Sequence, residues 1–234
     1  MLIKRYALCV ILTVVLGWQL NQYFNAGQAH PIRIACVGDS ITAGSGVLDK
    51  DHDSYPAQLS AMLGDAWEVK NFGANDTSVL KSGKKPYMKK RAFKLAYRFK
   101  PDVIIISLGT NDARQENWAH KTDFVKDYID LIRTFQQMSS HPKIFICYPP
   151  PALPNEYGIN DAVIKNEVLP LITEVVKQTG LTSIDLYAAM GHTPELFFDD
   201  IHPNKQGYAL IAAQAYQAIT ADAHPITDPH SASQ

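Results

Sequence analysis

The stretch "IACVGDSITAGSG", residues 34–46, decides how the rest of the chain is read. Its first half is a short apolar run of the kind that forms a buried strand, and it stops on Gly38-Asp39-Ser40, a turn with a hydroxyl at its tip. Comparable runs occupy residues 32–38, 67–73, 102–109, 143–148 and 182–186. Longer segments with helical spacing separate them, at residues 54–63, 123–138, 162–179 and 205–219. Strands alternating with helices predict an α/β fold, a three-layer α/β/α sandwich around a five-stranded parallel sheet. Ligands of such sheets bind beyond the carboxyl ends of the strands. The first three runs end in Gly38-Asp39-Ser40, Gly73-Ala74-Asn75 and Gly109-Thr110-Asn111-Asp112, so small and polar groups from distant parts of the chain are expected to meet along one edge.

The 234 residues, 46% hydrophobic and 19% charged, suffice for one substantial core and are few for two ordinary domains. A single domain over residues 30–221 is expected, followed by a mobile tail at 222–234 that has little to bury. The N-terminus reads differently. Lys4 and Arg5 precede an uncharged apolar run at 6–20 and then the small-residue stretch "NAGQA". That order predicts a secretory signal over residues 1–29, with a short anchor that stays attached as the alternative. Either way the protein is expected to be exported, periplasmic or secreted, or tethered to a membrane by this segment. Its loss would take the net charge from −1 to −3, and nothing in that balance points to nucleic acid. Cys36 and Cys147, each inside a strand-like run, read as buried free thiols. Residues 81–100 carry nine basic side chains and no acidic one, which reads as a solvated helix face or, alternatively, as a field that draws in an anionic substrate.

A serine hydroxyl becomes a nucleophile only when a base accepts its proton, and that base must be held in the right tautomer. "FFDDIHPNKQGY" near the chain end supplies both groups: Asp199 lies three residues before His202, in a loop that leads into a helix. His52, His120 and His192 are read as surface residues, and no His, Cys, Asp and Glu grouping has metal-ligand spacing. The oxygen that becomes negative during acyl transfer needs hydrogen-bond donors. The candidates are the backbone NH of Ser40, the backbone NH of Gly73 and the side-chain amide of Asn111. Asp39, Trp118 and Tyr148 are candidate substrate contacts. The two aromatics would form a sugar platform with the loop at 148–154, with ordinary packing an equal alternative.

Four blocks, "GDSITAGSG" (38–46), "NFGAND" (71–76), "GTND" (109–112) and "DDIHPN" (199–204), resemble in order and spacing the blocks of the SGNH hydrolases, also called GDSL esterases and lipases. The resemblance spans residues 32–219. It implies a flavodoxin-like fold, Ser40 as nucleophile, His202 as base, Asp199 as its orienting acid, and Ser40, Gly73 and Asn111 as the oxyanion hole. It implies no metal or cofactor. One departure is Asp200, where the family often has glycine, which leaves two adjacent carboxylates as partners for His202. The blocks are similar to those of exported bacterial enzymes that act on O-acetylated sugars, of the sialate O-acetylesterase and acetylxylan esterase types. Deacetylation of a carbohydrate, small or polymeric, is the expected reaction. A lysophospholipase, arylesterase or thioesterase is the alternative within the class. An O-acetyltransferase and a non-catalytic carbohydrate-binding protein are the alternatives outside it.

Overall fold

The structure is a computed structural model and describes residues 30–221; the N-terminal apolar run and the C-terminal tail lie outside the described residues. Five strands, β1 (Ile32–Gly38), β2 (Trp67–Gly73), β3 (Val103–Ser107), β4 (Lys143–Tyr148) and β5 (Thr182–Asp185), form one sheet in the order β2-β1-β3-β4-β5. Every neighbouring pair is parallel. The principal helices are α1 (Ser40–Ala43), α2 (Tyr55–Leu63), α3 (Arg91–Phe99), α4 (Phe124–Gln136), α5 (Leu169–Thr179) and α6 (Lys205–Ala221).

Strand periodicity sorts the core into two layers. Ala35, Val37, Ile104, Ile106, Ile144 and Ile146 face one side, where they meet α3, α4 and α5 through Ala96, Phe124, Ile132, Phe135, Ile172 and Val175. The alternate positions Ile34, Cys36, Val103, Ile105, Phe145 and Cys147 face the other, under α2 and α6 through Tyr55, Leu59, Tyr208, Ile211 and Ala215. Both faces of β1, β3 and β4 are therefore apolar, which is why these strands read as continuous runs rather than alternating ones. The two thiols are free and buried, and burial pushes the Cys36 thiol up to about 12, so it stays protonated and serves as packing.

Register places the working edge. Gly38 pairs with Gly73 on one side and with Ser107 on the other, so the loops after β1, β2 and β3 leave the sheet at the same level. Chain order reverses around β1, and this is where an open parallel sheet makes a crevice. Three boundaries differ from the sequence reading. β3 ends at Ser107 because the chain turns at Gly109, whose φ of 123° only glycine adopts readily. β5 ends at Asp185, which caps the next short helix by accepting the Ala188 NH. The segment at 162–179 is not one regular helix: a π-helical stretch at Ile164–Val168 precedes α5. Pro170 lacks an NH and crowds the carbonyl four residues back, so the wider turn relieves it.

Within the basic segment, residues 91–99 form α3 with Arg91, Lys94 and Arg98 exposed. Lys81 is ion-paired with Asp127 and Asp130, and Lys85 with Asp76. Among the described residues, no helix is long and apolar enough to cross a membrane.

Candidate active site

Three loops and the lead-in to α6 build the site. After β1, Asp39 caps α1: its Oδ1 accepts the Ile41 NH at 2.9 Å, which fixes the turn that carries Ser40. Ser40 sits in the first turn of α1, where its own NH has no acceptor inside the helix. The loop before α6 brings His202 to within 2.9 Å of Ser40 Oγ through Nε2. On the other side of the ring, Nδ1 lies 2.9 and 2.8 Å from the two oxygens of Asp199. A carboxylate can only accept, so Nδ1 carries the proton and Nε2 is free to accept from the serine. Asp199 Oδ1 also takes the His202 backbone NH at 2.8 Å, which holds acid and base in one rigid turn. Burial pushes the Asp199 carboxyl up, but the His202 ring and backbone and the Tyr157 hydroxyl outweigh it and leave the group below the usual carboxylate range.

Of the two adjacent carboxylates, the structure puts Asp199 on the histidine. Asp200 lies in the left-handed region at φ 68°, a conformation that favours glycine and that aspartate tolerates. Its carbonyl accepts the Leu153 NH, which ties the loop to the segment after β4. The three-residue spacing is not unique to His202. Asp49 and His52 repeat it and their side chains meet at 2.9 Å, but His52 is 80% exposed and no serine faces it. His192 contacts Asp161 at 2.8 Å, also far from Ser40 in the hydrogen-bond network.

The expected donors fare differently. Asn111, buried after β3, points its Nδ2 to Asp39 Oδ2 at 3.3 Å and to the Thr77 carbonyl at 3.2 Å, both long contacts. Gly73 requires a correction: its NH is already given to Asn71 Oδ1 at 2.9 Å. What demands glycine there is packing, because a Cβ would lie 2.2 Å from the Ala43 backbone nitrogen. In the following loop Asp76 takes φ 61°, and the NH groups of Asn75 and Asp76 have no acceptor among the described residues.

Asp39 also requires correction as a substrate contact. It is 1% exposed, and its oxygens accept from Ile41, Asn111 and Thr110. Burial, with a contribution from the charge of Asp112, pushes its carboxyl up to about 7. Tyr148 does not line the neighbouring cleft, whereas Trp118 contributes to its wall as a largely buried ring. Trp118 is 7% exposed, packs its ring on Phe124 and gives its NH to Glu167, while Tyr148 pairs its hydroxyl with Thr173 of α5.

Sequence reasoning missed four supporting residues. Asn71 donates to the Thr42 carbonyl as well as accepting from Gly73. Asp112 accepts the NH groups of Val79 and Leu80, each at 3.0 Å, and Asn117 donates to the Asn111 carbonyl at 2.7 Å. Tyr157 gives its hydroxyl to Asp199 Oδ2 at 2.7 Å and sets its ring edge-on to His202. The "GTND" and "NFGAN" blocks hold Asp112 and Asn71, so those two had a signal; Tyr157 and Asn117 had none. An open cleft of about 1040 Å³, lined by none of Ser40, Asn111, Asp199 and His202, runs between residues 113–121 and 152–163. Its lining includes Ala113, Gln115, Leu153, Asn155, Ile159 and Asn160. Among the described residues no group of His, Cys, Asp and Glu is arranged to hold a metal ion.

A partly buried serine–histidine–carboxylate relay at the carboxyl edge of a parallel sheet is equipped for nucleophilic acyl transfer. The profile of the GDSL-like lipase/acylhydrolase family matches residues 36–210. An acetylxylan esterase of Xylanibacter ruminicola is 41% identical over 212 residues, which cover 83% of this chain and 44% of that protein. The chain thus spans less than half the length of that relative. Among solved structures, a lipase/acylhydrolase from Enterococcus faecalis is 27% identical with a TM-score of 0.61, over 81% of this chain and 96% of that one. The fold is also that of a carbohydrate acetylesterase from Sinorhizobium meliloti, with a TM-score of 0.65 at 15% identity, over 81% and 98% of the two chains. Sequence blocks, sheet topology and family profile agree, and the chain belongs to the GDSL-like lipase/acylhydrolase family.

Proposed function

We propose that this protein is a serine esterase that removes O-acetyl groups from a carbohydrate through a covalent acyl-enzyme. The observation that carries the reading is the 2.9 Å contact between Ser40 Oγ and His202 Nε2, with Asp199 on the far side of the ring. Ser40 Oγ attacks the ester carbonyl as its proton passes to Nε2, and that proton then goes to the departing sugar oxygen. Water enters, gives a proton to the same nitrogen and attacks the acyl carbonyl; acetate leaves and Ser40 recovers its proton. The carbonyl oxygen bears negative charge in both steps. The Ser40 NH and an amide proton of Asn111 are the donors for it, the latter released from one of its two long contacts. The positive end of so short a helix as α1 adds little beyond its free NH groups.

The acetyl-carbohydrate assignment is supported by the 41% identity to an acetylxylan esterase and by the cleft, whose amides at Gln115 and Asn160 suit sugar hydroxyls. A second reading has its own observation. The cleft wall of Ala113, Leu153 and Ile159 also suits an acyl chain, as a lipid-directed esterase would need. Export, by a signal or with an anchor at residues 1–29, is part of the proposal and rests on the basic pair and apolar run there.

Hydrolysis of p-nitrophenyl acetate and p-nitrophenyl octanoate by the purified protein, with Ser40→Ala as control, tests both readings. Acetate release from acetylated xylo-oligosaccharides follows. Ser40-dependent cleavage confined to acetyl esters is the expected result. A preference for octanoate turns the assignment to lipid esters, and no Ser40-dependent cleavage ends the esterase reading.

A further inference from the structure

Tyr157 is 45% exposed, yet it sits in a loop held by several hydrogen bonds. Asn155 organises that loop: its Oδ1 accepts the NH groups of Tyr157 and Ile159, and its Nδ2 donates to the carbonyls of Leu153 and Ile159. Gly158 makes the turn at φ 72°, Ile159 bridges to Arg114, and Leu153 donates its NH to Asp200. A large aromatic held this rigidly in water contributes little to the core, so packing does not account for the arrangement. What the loop achieves is contact with the relay at two points. The phenol donates to Asp199 Oδ2 at 2.7 Å, and the ring stands perpendicular to His202 with centroids 5.7 Å apart.

Asp199 shows why this matters. Its Oδ1 is held by the backbone NH of His202, whereas Oδ2 has the imidazole and the phenol alone. Remove the phenol and the outer oxygen keeps the imidazole as its one protein partner, with water in place of the second donor. We propose that Tyr157 is a positioning residue for ester hydrolysis, clamping Asp199 from the solvent side and bracing the His202 ring so that Nε2 stays on Ser40 Oγ. The proposal rests on the relay reading given above. Tyr157 keeps its proton throughout: the proton of Ser40 moves to Nε2 and on to the leaving alcohol, and the phenol only donates a hydrogen bond.

Glu156 and Asp200 act on Tyr157 from its own loop and from the acid's loop; Asp39, the cap of α1, and Asp199 act on Tyr208 of α6. A carboxylate that has lost a donor is a stronger partner for the ring it faces, so the pH profile of turnover reads the change in Tyr157→Phe. The test uses the full chain, with wild type, Tyr157→Phe, Tyr157→Ala and Ser40→Ala compared on p-nitrophenyl acetate across roughly pH 5 to 9. The rate of inactivation by diisopropyl fluorophosphate is read in parallel, as a substrate-independent measure of Ser40 reactivity.

Tyr157→Phe is expected to lower kcat and the inactivation rate by about three- to tenfold, on the scale of one lost hydrogen bond. KM should hold, the acid limb of kcat/KM should move to higher pH, and Tyr157→Ala should fall further by losing the brace as well. Melting curves should match wild type, since the side chain is half exposed. Wild-type kcat and an unmoved acid limb in Tyr157→Phe would overturn the proposal. So would a loss expressed in KM alone, which would make Tyr157 a substrate contact. If wild type and Ser40→Ala are equally inert, the relay reading itself fails and this proposal fails with it.

Discussion

Replacing Gly73 with alanine keeps its backbone NH and adds one methyl group, which separates two explanations of why glycine stands there. A Cβ at this position would lie 2.2 Å from the Ala43 nitrogen, 2.6 Å from its Cα and 2.7 Å from the Thr42 carbonyl carbon. All three are backbone atoms of α1, so no rotamer change relieves the clash. Ordinary contact begins at about 3.4 Å, and restoring it means moving α1 away from β2 by roughly 1 Å. Overpacking of this kind costs about 1–3 kcal/mol. The displaced helix also carries Ser40, and a misplacement of about 1 Å at the reacting group costs on the order of 10²-fold in rate. Gly73→Ala should therefore lose stability by about 2 kcal/mol in urea titration and lose kcat on p-nitrophenyl acetate by about two orders of magnitude. Wild-type stability with normal turnover would refute the packing argument. Normal stability with lost turnover would restore Gly73 as a group that acts on substrate.

Asp199→Asn should reduce kcat by on the order of 10⁴-fold, because an amide stabilises the wrong imidazole tautomer, while Asp200→Gly, which suits φ 68°, should keep activity; the reverse pattern would reassign the acid. Asn111→Ala should lower kcat by about 10²–10³-fold with little change in KM, measured on the same acetyl ester, and a pure KM effect would remove it from the oxyanion hole. Asp39, pushed up to about 7 from 3.8, binds its proton more tightly in the folded chain than in the unfolded one. Stability should then fall as pH rises through that window, by roughly 4 kcal/mol, and Asp39→Asn should flatten the slope in urea titrations at about pH 5 and 8; parallel slopes in the two proteins would refute it.

The sheet was legible because β1, β3 and β4 are buried on both faces, and a run such as "DVIIISLG" admits little else. Ser40, Asp199 and His202 were legible for a related reason: their chemistry needs particular residue types at a strand end and in a short loop, and both settings are local. The role of Gly73 was not, because its constraint comes from Ala43, a residue distant in sequence whose backbone passes within a methyl's width. Asp39 was misread for the same cause. A carboxylate next to a reactive serine suggests contact with substrate, whereas tertiary packing turns it inward to cap α1 and hold Asn111. Trp118 and Tyr148 carry no periodic signal that separates a packed aromatic from an exposed one. Tyr157 lies in "PNEYGIN", where a turn is evident and its reach to Asp199, 42 residues on, is not.

Ser40 and His202 are 162 positions apart in the chain, and the lead-in to α6 is what joins them. Tyr208 of α6 donates to the Ser45 carbonyl, and Gln58 of α2 donates to the Lys205 carbonyl, so the last helix is fastened to the first loop it completes. Until that segment docks, Ser40 is an ordinary alcohol with no base beside it. On the proposed reading, a chain cut short before His202 has its serine and lacks the base that would activate it.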